Sequence, residues 1–151
     1  MDIISNNSLE TKELGKQLAI SLLSCCKKGP IILSLKGELG AGKTTFIQGF
    51  ALGLGVKKKI LSPTFIIMNK FKIKPDQHFY HFDCYRIENI KELKSLGFEE
   101  IISNPDNIIV IEWGEKIKKA LPKNVMEIKF KVLKENKRKI SYGKKGNICC
   151  C

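Results

Sequence analysis

At 151 residues, with 43% hydrophobic and 28% charged residues, the chain has the makeup of one folded domain, not of a disordered segment. No apolar run is long enough to span a bilayer, and residues 1–8 lack the basic start and apolar core of a signal peptide, so a cytoplasmic protein is expected. The formal charge is +12, but all but two of the 27 basic residues are lysine; a biased genome produces this as readily as selection for a polyanion, and an RNA partner is compatible with it.

The six cysteines contain no C-x-x-C pair, which removes support for a zinc site or a redox motif and leaves free thiols as the expectation. Ile3 and Ile4 suit a short edge strand. Asn7 or Ser8 caps a helix carrying Leu14, Leu18 and Leu22 on one face and ending near Gly29, behind Lys27 and Lys28. Pro30 leads into Ile31, Ile32, Leu33 and Leu35, an apolar run suited to a strand buried on both faces.

Gly37, Gly42, Lys43 and Thr44 then fit G-x-x-x-x-G-K-[ST], the phosphate-binding P-loop. Glycines at 37, 40 and 42 let the backbone close round an anion with its N–H groups inward. A helix beginning at Lys43 adds its positive dipole end. Phe46, Phe50 and Leu54 recur along it until Gly53 and Gly55 stop it. Gly40, Ala41, Gly42, Lys43, Thr44 and Thr45 are therefore the expected contacts of a nucleoside triphosphate. Lys43 suits the β- and γ-phosphates, the Thr44 hydroxyl suits Mg²⁺, and Thr45 suits the α-phosphate.

Ser62-Pro63-Thr64 reads as a turn into a strand of Phe65, Ile66, Ile67 and Met68, and Pro75-Asp76 as the next turn. Alternation over residues 78–85 predicts a strand ending near Asp83. Residues 88–96 and 98–102 are helical in character, separated by Gly97, and residues 107–112 form a buried strand ending at Glu112. Beyond Pro122, Met126, Ile128, Phe130 and Val132 alternate with charged residues, and residues 134–137 turn the chain back over 139–142 as a hairpin. The fold class expected is α/β: a P-loop NTPase-like three-layer sandwich with a mainly parallel central sheet and a C-terminal β-hairpin. Residues 1–146 form the single domain, and residues 147–151, with Cys149, Cys150 and Cys151, are a frayed tail.

Phosphate binding alone is not hydrolysis, which needs a metal shell and an oriented water. Ligands of parallel sheets sit off the carboxyl ends of the strands, where Asp83 and Glu112 stand. Asp83 is the candidate for holding Mg²⁺, directly or through water; Glu112 either orients the attacking water or completes the metal shell. Thr64 either starts a strand or senses the γ-phosphate from a switch-like loop. Trp113, the single tryptophan, packs in the core or lies at the nucleotide. Arg86 either meets phosphate charge or forms a structural ion pair.

In order and spacing, Gly37-Glu-Leu-Gly-Ala-Gly-Lys-Thr-Thr45, Ser62-Pro-Thr-Phe65, His81-Phe-Asp-Cys-Tyr-Arg86 and Ile111-Glu-Trp113 resemble the TsaE (YjeE) family. The resemblance runs over roughly residues 8–120, with the hairpin fitting loosely. These are small bacterial ATPases required to make N6-threonylcarbamoyladenosine at position 37 of tRNA. The resemblance implies that Lys43 and Thr44 bind phosphates and Mg²⁺, that Asp83 takes the Walker B role, that Glu112 acts at the metal or the water, and that Thr11 lies near the base. It also implies two partners, the threonylcarbamoyl-transferase subunit and its inactive paralogue (the TsaD and TsaB families), with tRNA met through that complex. Cys84 departs from a more usual aliphatic, and Asn69-Lys70 from an acidic segment.

Three other readings compete. A GTPase would need Asp where Lys72 completes Asn69-Lys70. A small-molecule P-loop kinase would usually spend more than two arginines on its phosphates. A nucleotide-dependent interaction module without significant turnover differs from an ATPase only in measured rate.

Overall fold

The computed structural model describes residues 1–25 and 29–143. Its strands are β1 (Asp2–Ser5), β2 (Ile31–Lys36), β3 (Met68–Lys74), β4 (Gln77–Asp83), β5 (Ile108–Glu112), β6 (Met126–Lys134) and β7 (Lys137–Tyr142). They form one sheet in the order β1-β7-β6-β2-β5-β4-β3. The central strands β6, β2, β5 and β4 run parallel, while β1, β7 and β3 pair antiparallel at the two edges. β6 and β7 are the expected C-terminal hairpin.

The sheet is buried on both faces at its centre, which is why β5 reads as unbroken Ile-Ile-Val-Ile. Ile108 and Val110 join Leu33 and Leu35 on one face, under α1 (Ser8–Ser24) and α2 (Lys43–Gly53). Ile109 and Ile111 join Ile32 and Phe82 on the other, under α3 (Ile90–Ser95), α4 (Phe98–Ser103) and 3₁₀ turns over Gly114–Ala120. The result is the three-layer sandwich. Among the described residues no helix is long and apolar enough to cross a membrane.

Asn7 caps α1 by accepting the Glu10 N–H at 2.8 Å. The buried stripe of α1 is Thr11, Gly15, Ala19 and Leu22, whereas Leu14 and Leu18 of the expected face lie at its margin. Small residues win because α1 and α2 pack almost backbone to backbone. A Cβ on Gly15 would stand 2.1 Å from the Phe46 carbonyl oxygen, and one on Gly49 would stand 1.7 Å from that of Lys12. Gly49→Ala should therefore force the helices apart and cost about 1–3 kcal/mol. Urea denaturation checks this, and a midpoint equal to the parent's would contradict it.

The expected strand over Phe65, Ile66, Ile67 and Met68 is instead a turn, with β3 beginning at Met68. The Pro63 carbonyl accepts the N–H groups of both Ile66 and Ile67, winding the chain, and Ile67 takes a left-handed φ of 65°. Phe65 and Ile66 are left exposed. Cys84 is a free, buried thiol that burial, with Asp83 beside it, pushes up to about 12. The expected helix end around Lys27 and Lys28 and the tail 147–151 lie outside the described residues.

Candidate functional site

The loop between β2 and α2 turns through Gly42, whose φ of 93° suits glycine and sets it as the N-cap of α2. No side chain caps that helix, so its first-turn N–H groups keep their capacity for an anion. Lys43 is 4% exposed, and its Nζ donates to the carbonyls of Gly37 at 2.6 Å and Glu38 at 2.8 Å. Burial pushes the Lys43 ammonium below the ordinary lysine range, while the charges of Glu112, Glu115 and Asp83 act the other way. Its Nζ also lies 4.0 Å from the centre of the Trp113 ring.

The two carboxylates reach the loop because of sheet register. Asp83 and Glu112 end adjacent parallel strands as direct partners. Alternation along β4 and β5 puts both on the side of α2. The Thr44 hydroxyl, in the first turn of α2, lies 3.1 and 3.2 Å from the two Glu112 oxygens. Asp83 Oδ2 accepts the hydroxyls of Ser62 at 2.7 Å and Thr64 at 2.6 Å, and Oδ1 accepts the Tyr85 N–H at 2.9 Å. His81, fully buried, brings Nε2 to 2.9 Å from Glu112 Oε1.

Trp113 follows directly with a left-handed φ of 60°, which ends β5 and turns the indole over Lys43. Its ring packs on Tyr85, centroids 5.1 Å apart. These groups enclose a cleft of about 350 Å³ whose lining includes Gly40, Gly42, Lys43, Thr44, Thr45, Thr64, Asp83, Glu112 and Trp113. One cation at the base, a glycine-rich cradle and two carboxylates beside a hydroxyl make a donor set for a phosphate chain and a hard divalent cation. Among the described residues no cluster of three His, Cys, Asp or Glu forms a metal cage. Two carboxylates and a hydroxyl suit Mg²⁺, which takes one or two carboxylates and keeps phosphate oxygens and water for its other positions.

A profile of the family described as "Threonylcarbamoyl adenosine biosynthesis protein TsaE" matches residues 5–140. The chain belongs to the TsaE family. The Rickettsia felis TsaE protein is 42% identical over 137 residues, 90% of this chain and 75% of the relative. The Bacillus subtilis TsaE protein is 36% identical over 143 residues, covering 93% and 84%. The crystal structure of Bacillus subtilis YdiB superposes with a TM-score of 0.75 at 29% identity, covering 97% of this chain and 86% of that one. The TsaE match takes in most of the C-terminal hairpin, further than the sequence motifs reach.

Within this TsaE chain, Ala41 is buried and does not line the cleft. Thr11 is also fully buried, behind the loop: its hydroxyl pairs with Ser5 at 2.7 Å, and its methyl lies 3.6 Å from where a Cβ on Gly42 would be. Arg138 reaches the same place from β7, within 3.2 Å of that position, and its Nε is buried with no hydrogen-bond partner. Arg86 lies over the exposed Phe65 ring at 4.3 Å and outside the cleft lining. Ser62, His81, Tyr85 and Arg138 drew no individual role in the sequence reading. Three of them had a signal: Ser62 stands two before Thr64, Tyr85 two after Asp83, and His81 two before Asp83 on the same strand face.

Proposed function

We propose that this chain is a Mg²⁺-dependent P-loop ATPase that supports formation of the N6-threonylcarbamoyl group on adenosine 37 of tRNA. The observation that carries the reading is the meeting of Thr44, Asp83 and Glu112 at the mouth of a P-loop whose Lys43 lies at its base. Membership of the TsaE family supplies the biosynthetic context. In this reading Lys43, the loop amides and Thr45 bind the phosphates of ATP. Thr44, Asp83 and Glu112 hold Mg²⁺, which offsets phosphate charge when bound. Glu112 belongs beside the metal, because both of its oxygens already face the hydroxyl assigned to it. Thr11 and Arg138 back the loop at Gly42.

The same reading takes the threonylcarbamoyl-transferase subunit and its inactive paralogue, of the TsaD and TsaB families, as partners, with tRNA engaged through them in the cytoplasm. The rim of the cleft supports a protein partner there. Leu39, which lines the mouth, is 79% exposed, and Phe65, on the loop after Thr64, is 83% exposed.

Nucleotide choice tests the assignment. Lys72 leaves the guanine-reading element incomplete, so ATP and ADP should bind more tightly than GTP in a calorimetric titration with Mg²⁺. Equal or tighter GTP binding would overturn the ATPase reading.

A further inference from the structure

We infer that His81 is a positioning residue for Glu112: its imidazole holds Oε1 of the carboxylate and so sets where Oε2 lies against the Thr44 hydroxyl and the cleft. The inference rests on the functional reading above and deepens it. His81 lies in the middle of β4, fully buried, on the face that also carries Phe79 and Asp83. Its register partner on β5 is Val110. Phe79 before it on that face and Val110 beside it on β5 are apolar, and an apolar side chain here would avoid burying a polar ring.

The polar contact His81 makes is with Glu112 Oε1, at 2.9 Å. A carboxylate accepts only, so Nε2 carries the proton and donates. Nδ1 is left buried without a hydrogen-bond partner. A ring kept for packing would have no reason to leave one nitrogen unsatisfied; a ring kept to present Nε2–H to Glu112 has to accept it.

The geometry shows what Glu112 would lose. Thr44 has one hydroxyl proton for two oxygens, at 3.1 and 3.2 Å, so on its own it leaves the carboxylate free to rock. The histidine donor comes from the sheet side and fixes Oε1, which fixes where Oε2 points. Groups of this kind, one step removed from a metal, typically matter by about 10–100-fold.

The test compares His81→Phe, which fills the space without a donor, with His81→Gln, whose amide N–H reaches where Nε2 stands. His81→Asn stops short of Glu112 and serves if the Phe variant does not fold. ATP hydrolysis is measured beside a second readout, the Mg²⁺ concentration that half-saturates ADP binding in calorimetry. His81→Phe or His81→Asn should lower kcat and raise the Mg²⁺ requirement by about 10–100-fold, and His81→Gln should recover most of both. In a Glu112→Gln background, His81→Phe should add little further loss. Parental kcat and Mg²⁺ requirement in both His81→Phe and His81→Asn, or equal losses in His81→Gln and His81→Phe, would overturn the inference. Glu112→Gln alone separates the two levels. If it hydrolyses ATP at the parent rate, the site reading itself fails; if it is impaired while the donor-lacking His81 variants are not, only the role of His81 falls.

Discussion

Lys43→Ala is expected to lower ATP turnover by roughly 10²–10³-fold, the usual cost of removing one preorganised charge at a phosphoryl-transfer site. The fold should survive. Lys43 makes two hydrogen bonds to the loop carbonyls of Gly37 and Glu38. Against their loss stands the burial that already pushes its ammonium down, a cost to the folded state that the substitution removes. The variant should keep the parent's circular dichroism and a similar unfolding midpoint. A folded Lys43→Ala protein that hydrolyses ATP at the parent rate would show that the cleft is not a nucleotide site.

The second large effect separates the carboxylates. Asp83→Ala should weaken Mg²⁺-dependent nucleotide binding by about tenfold or more, because a metal ligand or the anchor of its water is lost. It also releases the Ser62 and Thr64 hydroxyls, which both donate to Oδ2. Glu112→Ala should reduce ATP affinity and turnover together, as expected of a group beside the metal. If affinity holds and turnover alone collapses, Glu112 instead orients the attacking water, an interaction needed mainly in the transition state. Calorimetry with Mg²⁺ and a steady-state phosphate assay on each variant make the distinction. Parental values in either variant would remove that residue from the site.

Much of this site was legible because its parts are local. The P-loop is a contiguous pattern, and the strand before it and the helix after it follow from apolar runs and flanking glycines. Asp83 and Glu112 were found because parallel strands gather ligands at their carboxyl ends. What the pattern does not carry is register. That Asp83 and Glu112 are direct partners on neighbouring strands, and that His81 sits behind Glu112, are properties of the assembled sheet. The apolar run at Phe65 has the composition of a strand, and the turn wins because Pro63 offers one carbonyl to two successive amides. β3 lies just beyond that run, at residues 68–74; as an edge strand its alternate positions are exposed lysines.

The face of α1 shows the same limit. Leucine spacing points to Leu14 and Leu18, yet Gly15 and Ala19 lie deepest because Gly49 and Gly53 of α2 allow the close approach. Hydrophobicity ranks side chains by what they gain from burial; here the distance between backbones decides, and that belongs to the pair of helices. Thr11 goes with that contact, which brings it to the back of Gly42.

The central claim is tested most directly by reconstituting tRNA modification from the transferase subunit and its paralogue, with a threonylcarbamoyl donor, tRNA, ATP and Mg²⁺. N6-threonylcarbamoyladenosine per tRNA is then measured with the parent chain, with Lys43→Ala, and with neither. Repeated turnover is expected only with the parent chain; turnover as extensive without it, or with Lys43→Ala, would contradict the account.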